Sequence, residues 1–310
     1  MTVNVLFAAK AEKWGIYEAP LTTALQKAGV AADVRTDFAP AEVDYIVYAP
    51  NSNLQDFTPY TRAKAVLNLW AGVEDVVHNQ TLTIPLARMV DEGLTLGMVE
   101  WVVGHTLRHH LGMDRHILGQ DGVWRPDVPP LAKDRPVTVL GMGELGRACA
   151  QALVSIGFPV TGWSRSPRDL AGVRCLSGDS GFEEALRGAQ IVILLLPLTP
   201  DTTNVIDAKA LNLMNKGAFI INPGRGPLID DTALLAALDR GQIGHATLDV
   251  FRVEPLTIDH PYWAHPNVTV TPHIASATRE DTASMVIAEN IRRGEAGEPF
   301  VHLVNRDLGY

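Results

Sequence analysis

The sequence predicts an α/β protein of two doubly wound parallel-sheet domains with an active-site cleft between them. Three observations carry this expectation. Strand-sized apolar runs alternate with helix-sized amphipathic segments along almost the whole of the 310-residue chain. The runs are apolar on both faces, as buried parallel strands covered by helices require. The alternation is broken once, after Gly93, by a long helical pattern and then a Gly/Pro-rich passage.

In chain order, "VNVLFAA" (3–9), "YIVYAP" (45–50) and "AVLNLW" (65–70) read as strands, with helical or loop segments between them. "GMVEWVVGHTLRHHLGMDRH" (97–116) reads as one helix, and "GQDGVWRPDVPP" (119–130) has the composition of an arm or linker. The alternation then resumes with "VTVL", "PVTGW", "IVILLLP", "AFIIN", "HATLDV" and "VTVTP". Near the end, "EDTASMVIAENIRRGEAGE" (280–298) places Ala283, Val286, Ile287 and Ile291 on one helical face, with Gly294 as the expected C-cap. These patterns divide the chain into residues 1–93 with 276–310 and residues 94–275.

Composition excludes several classes of function. Hydrophobic residues at 46% and charged residues at 20% describe a globular chain that can bury a core without staples. Cys149 and Cys175 are too few for a disulfide framework and lack metal-ligand spacing, so Cys149 reads as core. The net charge of −9 opposes nucleic-acid binding, which needs a positive field. The start reads as a first strand and not a signal peptide, and no apolar run approaches the ~18 residues of a membrane span. The cytoplasm is the expected compartment.

"VTVLGMGELGRACAQALVSIGFPVTGW" is a strand, a Gly141-x-Gly143-x-x-Gly146 turn, a helix and a second strand. Glycines allow the tight turn and close backbone approach, and the helix start offers free N–H groups to a pyrophosphate. The turn residues Gly141, Gly143, Glu144, Leu145 and Gly146 are therefore candidate cofactor contacts, and residues 94–275 a candidate Rossmann domain for a dinucleotide. An acid that holds the adenosine ribose is expected ~20 residues later. Ser164, Arg165 and Ser166 stand there instead, followed by Arg168. A carboxylate would repel a 2′-phosphate, whereas an arginine fork and serine hydroxyls bind one. NADP(H) is thus the preferred cofactor, with NAD(H) at lower affinity.

Three more stretches follow strands: "INPGRGPLID", "LDVFRVEPL" and "TPHIAS". Ligands of open parallel sheets bind beyond the carboxyl ends of the strands. Arg225, Asp249, Glu254 and His273 can therefore face one crevice. Each alone has a duller account as a loop cation, a solvated carboxylate or one of ten histidines, and the combination carries the information.

Together, "GMGELG", "LLLPLTPDT", "NPGRG", "LDVFRVEPL" and "HPNVTVTPHIAS", in this order, resemble the D-isomer-specific 2-hydroxyacid dehydrogenase family along essentially the whole chain. "LWAGVED", "GMVEWVV" and "GWSRS" are most similar to its glyoxylate/hydroxypyruvate reductase A type. The resemblance implies a flavodoxin-like substrate-binding domain in 1–93 with 276–310, and NADPH-dependent reduction of small 2-oxo acids. It implies that Arg225 binds the substrate carboxylate and polarises the carbonyl, and that His273 donates the proton. Glu254 would orient His273 and favour its protonated form. Asp249 matches the position that contacts the nicotinamide carboxamide. Leu196, Pro197, Pro223, Gly224 and Ser276 fall among the implied cofactor contacts. The backbone of Ala71, Gly72 and Val73 would bind substrate carboxylate beside Trp70, whose bulk favours glyoxylate or hydroxypyruvate over long 2-oxo acids. The family also implies a homodimer built through the helix and arm of 98–130.

Two other readings share these residues. One is a related dehydrogenase with a different 2-oxo acid; formate dehydrogenase is disfavoured because Pro272, and not glutamine, precedes His273. The other is a cofactor-sensing binding protein of the corepressor type, which turnover with NADPH and glyoxylate would exclude. A metal site in "HTLRHH" lacks a completing carboxylate or cysteine, so no metal is expected.

Overall fold

The computed structural model describes residues 2–310. The chain divides into two compact units, Met1–Leu94 with Ala277–Tyr310, and Thr95–Ser276. In the first unit, strands β1 (Val3–Ala8), β2 (Ala32–Arg35), β3 (Tyr45–Tyr48), β4 (Ala65–Asn68) and β5 (Leu86–Ala87) lie in the order β2-β1-β3-β4-β5. All pairings are parallel, and the order is that of flavodoxin-like sheets. Because side chains alternate across a strand, β1 and β3 feed two cores. Val5, Phe7, Tyr45 and Val47 pack with Leu21 and Leu25 of the helix Ala11–Lys27 and with Ala283, Ile287 and Ile291. Leu6, Ile46 and Tyr48 pack on the opposite face with Val73, Val77 and Leu82.

The helix Glu280–Ala296 therefore belongs to the first unit. Its buried isoleucines contribute about 1.5–3 kcal/mol each, against at most about 1 kcal/mol for an outer ion pair such as Arg292–Glu289. Its C-cap differs from the expected one. Gly294 lies inside the helix, where a Cβ would come within 2.2 Å of the Tyr45 hydroxyl oxygen. Gly297 ends the helix, with φ +70. Two glycines three residues apart served different needs, one for space and one for a left-handed turn.

The second unit holds seven strands: β6 (Val137–Leu140), β7 (Val160–Ser164), β8 (Val173–Ser177), β9 (Ile191–Leu194), β10 (Ala218–Asn222), β11 (Ile243–Leu248) and β12 (Val268–Val270). Their order is β12-β11-β10-β9-β6-β7-β8, all parallel, so the winding reverses between β6 and β9. That switch point is where open α/β sheets bind ligands. The edge strand β8 has only half-buried or exposed positions, which is why its pattern was silent. Cys149 is fully buried, and burial pushes its thiol up to about 12.

The helix Glu92–Leu111 ends on this sheet through histidines. The His109 ring stacks on Phe219 at 4.7 Å and shares a 2.8 Å hydrogen bond with the Thr247 hydroxyl. Beside it His245, on β11, shares a 2.8 Å hydrogen bond with the Thr269 hydroxyl, to which Arg108 of the helix donates at 2.9 Å. Among the described residues, no group of three or more His, Cys, Asp or Glu is arranged to hold a metal. Burial first, then neighbouring positive charge, lowers His109 to about 3 and His245 to about 4. The unfolded chain binds protons to both below about pH 6.5, whereas the folded chain keeps them neutral. The stability linked to these two histidines is thus fully present above about pH 6.5 and is lost as pH falls toward about 4, at up to about 1.4 kcal/mol per pH unit for each. Thermal unfolding followed across this window should show Tm falling with acidity. A flat Tm there would contradict neutral burial.

Candidate active site

At the switch point, β6 runs into Gly141, whose φ is +105. A Cβ at Gly141 would lie 2.4 Å from the Leu195 carbonyl oxygen, and one at Gly146 would lie 1.7 Å from the Gly141 oxygen. Both positions exclude any side chain. Gly143 starts the helix Glu144–Ile156 with no side-chain cap, so its first N–H groups are left to a ligand. The Gly141 N–H donates to the Trp163 carbonyl at 2.8 Å, tying the turn to the end of β7. There the Trp163 indole donates to the Gly178 carbonyl at 2.9 Å, and the Ser164 hydroxyl to that of Ser166 at 2.8 Å. Arg165, Ser166 and Arg168 follow as exposed residues. Leu196 is buried just beyond β9, and the Pro197 carbonyl accepts from Thr202 at 2.7 Å.

The residues expected to do chemistry follow the ends of β10, β11 and β12, which are adjacent. Neighbouring strands are about 4.8 Å apart, so the loops leaving them emerge side by side. After β10, the buried Asn222 carboxamide brackets the turn of Pro223, Gly224 and Arg225. Its nitrogen donates to the Arg225 carbonyl at 3.0 Å and its oxygen accepts from Gly224 N–H at 3.1 Å. The Arg225 guanidinium donates to the Gly224 carbonyl at 2.7 Å. Gly226 then passes so close to Phe251 that a Cβ would lie 2.0 Å from its carbonyl carbon. The Arg225 loop is thereby fixed against the loop that carries Glu254.

Glu254 uses both oxygens. Oε1 accepts from the Phe251 N–H at 2.8 Å, and Oε2 lies 2.7 Å from His273 Nδ1. With Nδ1 facing a carboxylate, the other ring nitrogen, Nε2, is the one left to act on a substrate. The His273 side chain is about half exposed (51%), so the ring is accessible. Its backbone is left-handed, with φ 54, a conformation few non-glycine residues hold. Asp249 maintains it. Asp249 is fully buried, its carbonyl accepts the His273 N–H at 2.8 Å, and its carboxylate accepts from Thr271 Oγ1 (2.6 Å), Ile274 N–H (2.9 Å) and Ala275 N–H (2.8 Å). Ser276 closes this loop beside Gly97, where a Cβ would lie 2.6 Å from the serine hydroxyl oxygen.

In the first unit, β4 ends at Asn68, and its buried side-chain nitrogen donates to the carbonyls of Trp70 (2.9 Å) and Gly72 (3.0 Å). Trp70 is partly exposed and Val73 is buried. Asn68 and Asn222 thus play the same part: each ends an apolar strand and shapes the next loop with its amide. Neither was singled out from sequence, although an asparagine closing a buried strand before a glycine-containing loop is a readable signal.

A seven-stranded parallel sheet with a glycine turn at its switch point defines a dinucleotide-binding α/β protein. Residues 101–275 match the sequence profile of the D-isomer specific 2-hydroxyacid dehydrogenase, NAD binding domain. The chain is 37% identical to glyoxylate/hydroxypyruvate reductase A of Yersinia enterocolitica, over 94% of each. It superposes on a D-isomer specific 2-hydroxyacid dehydrogenase from Xanthobacter autotrophicus Py2, in complex with NADPH and MES, with a TM-score of 0.92, 38% identity and full coverage of both chains (100%). The NADPH-dependent glyoxylate/hydroxypyruvate reductase of Sinorhizobium meliloti, in complex with NADP and sulfate, gives a TM-score of 0.85 at 34% identity, covering 100% of this chain and 99% of that one. The chain belongs to the D-isomer specific 2-hydroxyacid dehydrogenase family.

Proposed function

We propose that this protein uses NADPH to reduce small 2-oxo acids, glyoxylate and hydroxypyruvate among them, to 2-hydroxy acids. The observation that carries the reading is the 2.7 Å His273–Glu254 pair, which joins the loops after β12 and β11 beside the Arg225 loop after β10. Relatives named for this activity support it.

The glycine turn suits the cofactor, because its tight path needs glycine at Gly141 and Gly146, the space beside Gly143 is open, and the N–H groups at Gly143, Glu144 and Leu145 begin a helix without a side-chain cap. When bound, NADPH supplies the hydride. Leu196, Pro197, Pro223, Gly224 and Ser276 are the other residues proposed to hold it. Arg225 binds the substrate carboxylate and polarises the carbonyl with its fork of donors. As the carbonyl oxygen gains negative charge, the His273 Nε2–H gives it a proton, while Glu254 holds Nδ1 and offsets the positive charge of the ring. In the reverse direction the neutral ring accepts that proton. Loss of NADPH absorbance with glyoxylate or hydroxypyruvate tests the reading.

Ser164, Arg165, Ser166 and Arg168 are proposed to select NADPH through its 2′-phosphate. Replacing Arg165 with alanine should raise KM for NADPH by about 10–100-fold, the worth of a charge-assisted hydrogen bond of about 1.5–3 kcal/mol, and leave KM for NADH little changed. Equal effects on the two cofactors would remove the assignment.

The protein is further proposed to act as a homodimer through the helix and arm of 98–130. Ile117, Leu118, Val123, Trp124 and Val128 are exposed on this stretch, an apolar concentration that favours burial against a second copy. Sedimentation at micromolar concentration should give a dimer, and a monomer would refute the pairing.

A further inference from the structure

We propose that Thr271 is a positioning residue for the reaction, acting through Asp249 to hold His273 where Glu254 can orient it. This rests on the reading of His273 as the proton donor. Four hydrogen bonds from the segment 271–275 converge on the single residue Asp249: the Thr271 hydroxyl, the His273 N–H, the Ile274 N–H and the Ala275 N–H, at 2.6, 2.8, 2.9 and 2.8 Å. They flank His273 on both sides, so the left-handed turn at φ 54 is closed around one buried carboxylate. Asp249 is itself anchored by its own N–H, which donates to the Asn222 carbonyl at 3.0 Å. The clamp therefore links the end of β10, which carries the Arg225 turn, to the His273 loop.

All of the donors are neutral, and three serve the carboxylate. A buried carboxylate left without such donors is costly, and with them it is ordered. The two N–H donors are backbone and cannot be removed by substitution without changing the chain path. Thr271 supplies the side-chain donor, at the shortest of the four distances. Without its hydroxyl, one carboxylate oxygen keeps a single partner, Ile274, and the turn holding His273 loosens. The ring is half exposed and held by Glu254 at Nδ1, so a small shift of the backbone moves Nε2 directly.

The test compares Thr271→Val, which keeps the branched shape and removes the donor, with Thr271→Ser, which keeps the donor. Kinetics with NADPH and glyoxylate are read beside hydrogen exchange of the peptide covering 271–276. For Thr271→Val, kcat should fall by about 10–100-fold, the scale of a misplaced reacting group, with the Kd for NADPH nearly unchanged. Exchange at Ile274 and Ala275 should quicken, and Thr271→Ser should restore both readouts. Wild-type kcat and exchange in Thr271→Val, or equal impairment in the serine variant, would overturn the proposal. If the wild-type protein turns over no small 2-oxo acid, the reading of the reaction and the kinetic part of this role fall together. The exchange comparison then shows separately whether the clamp itself exists.

Discussion

Replacing His273 with asparagine is expected to lower kcat for 2-oxo acid reduction by about 10²–10⁴-fold, with the Kd for NADPH hardly altered. Asparagine is the informative choice. His273 has a left-handed backbone at φ 54, and asparagine tolerates that region better than most residues. The loop and its four bonds to Asp249 are thereby kept while the ring is lost. An amide can donate a hydrogen bond to the carbonyl oxygen, but it cannot give up a proton near neutral pH. The loss should fall on kcat and kcat/KM alike, the signature of an interaction made in the transition state. A variant within about tenfold of wild type would mean that another group, or water, delivers the proton.

Replacing Arg225 with alanine should reduce kcat/KM by about 10²–10³-fold, and lysine should recover only part of it. The guanidinium is planar and its donors are spaced for a carboxylate, whereas an ammonium is a point charge on a flexible stem. Placement matters as much as charge. The backbone around Arg225 is fixed by Asn222 at 3.0 Å and by the close passage of Gly226 over Phe251, and the guanidinium donates to the Gly224 carbonyl at 2.7 Å. Lysine inherits the backbone but not the fork. Full activity in the lysine variant would show that Arg225 contributes charge alone.

What could be read from the sequence had local causes. The parallel sheets announce themselves because each central strand is buried on both faces, and the glycine turn because Gly141 and Gly146 leave no room for a side chain. His273 and Glu254 were visible as residue types, and the structure adds their 2.7 Å separation. The silent features depend on partners far along the chain. Thr271 looks like any threonine at a strand end until Asp249, 22 residues away, is folded beneath it. The match of Asp249 to a nicotinamide contact was visible in the sequence, and the three bonds its carboxylate accepts from its own chain were not. Gly294 misled for the same reason, since its need for space arises from Tyr45, in a strand about 250 residues earlier.

The His273, Glu254 and Arg225 set is proposed to reduce a small 2-oxo acid at the expense of NADPH. The most direct measurement is NADPH oxidation by the purified protein with glyoxylate and hydroxypyruvate, with NADPH binding followed in the same sample. Turnover that depends on either acid, and that disappears in the His273 variant, is the predicted result. Oxidation at the background rate by a protein that still binds NADPH would exclude this reaction.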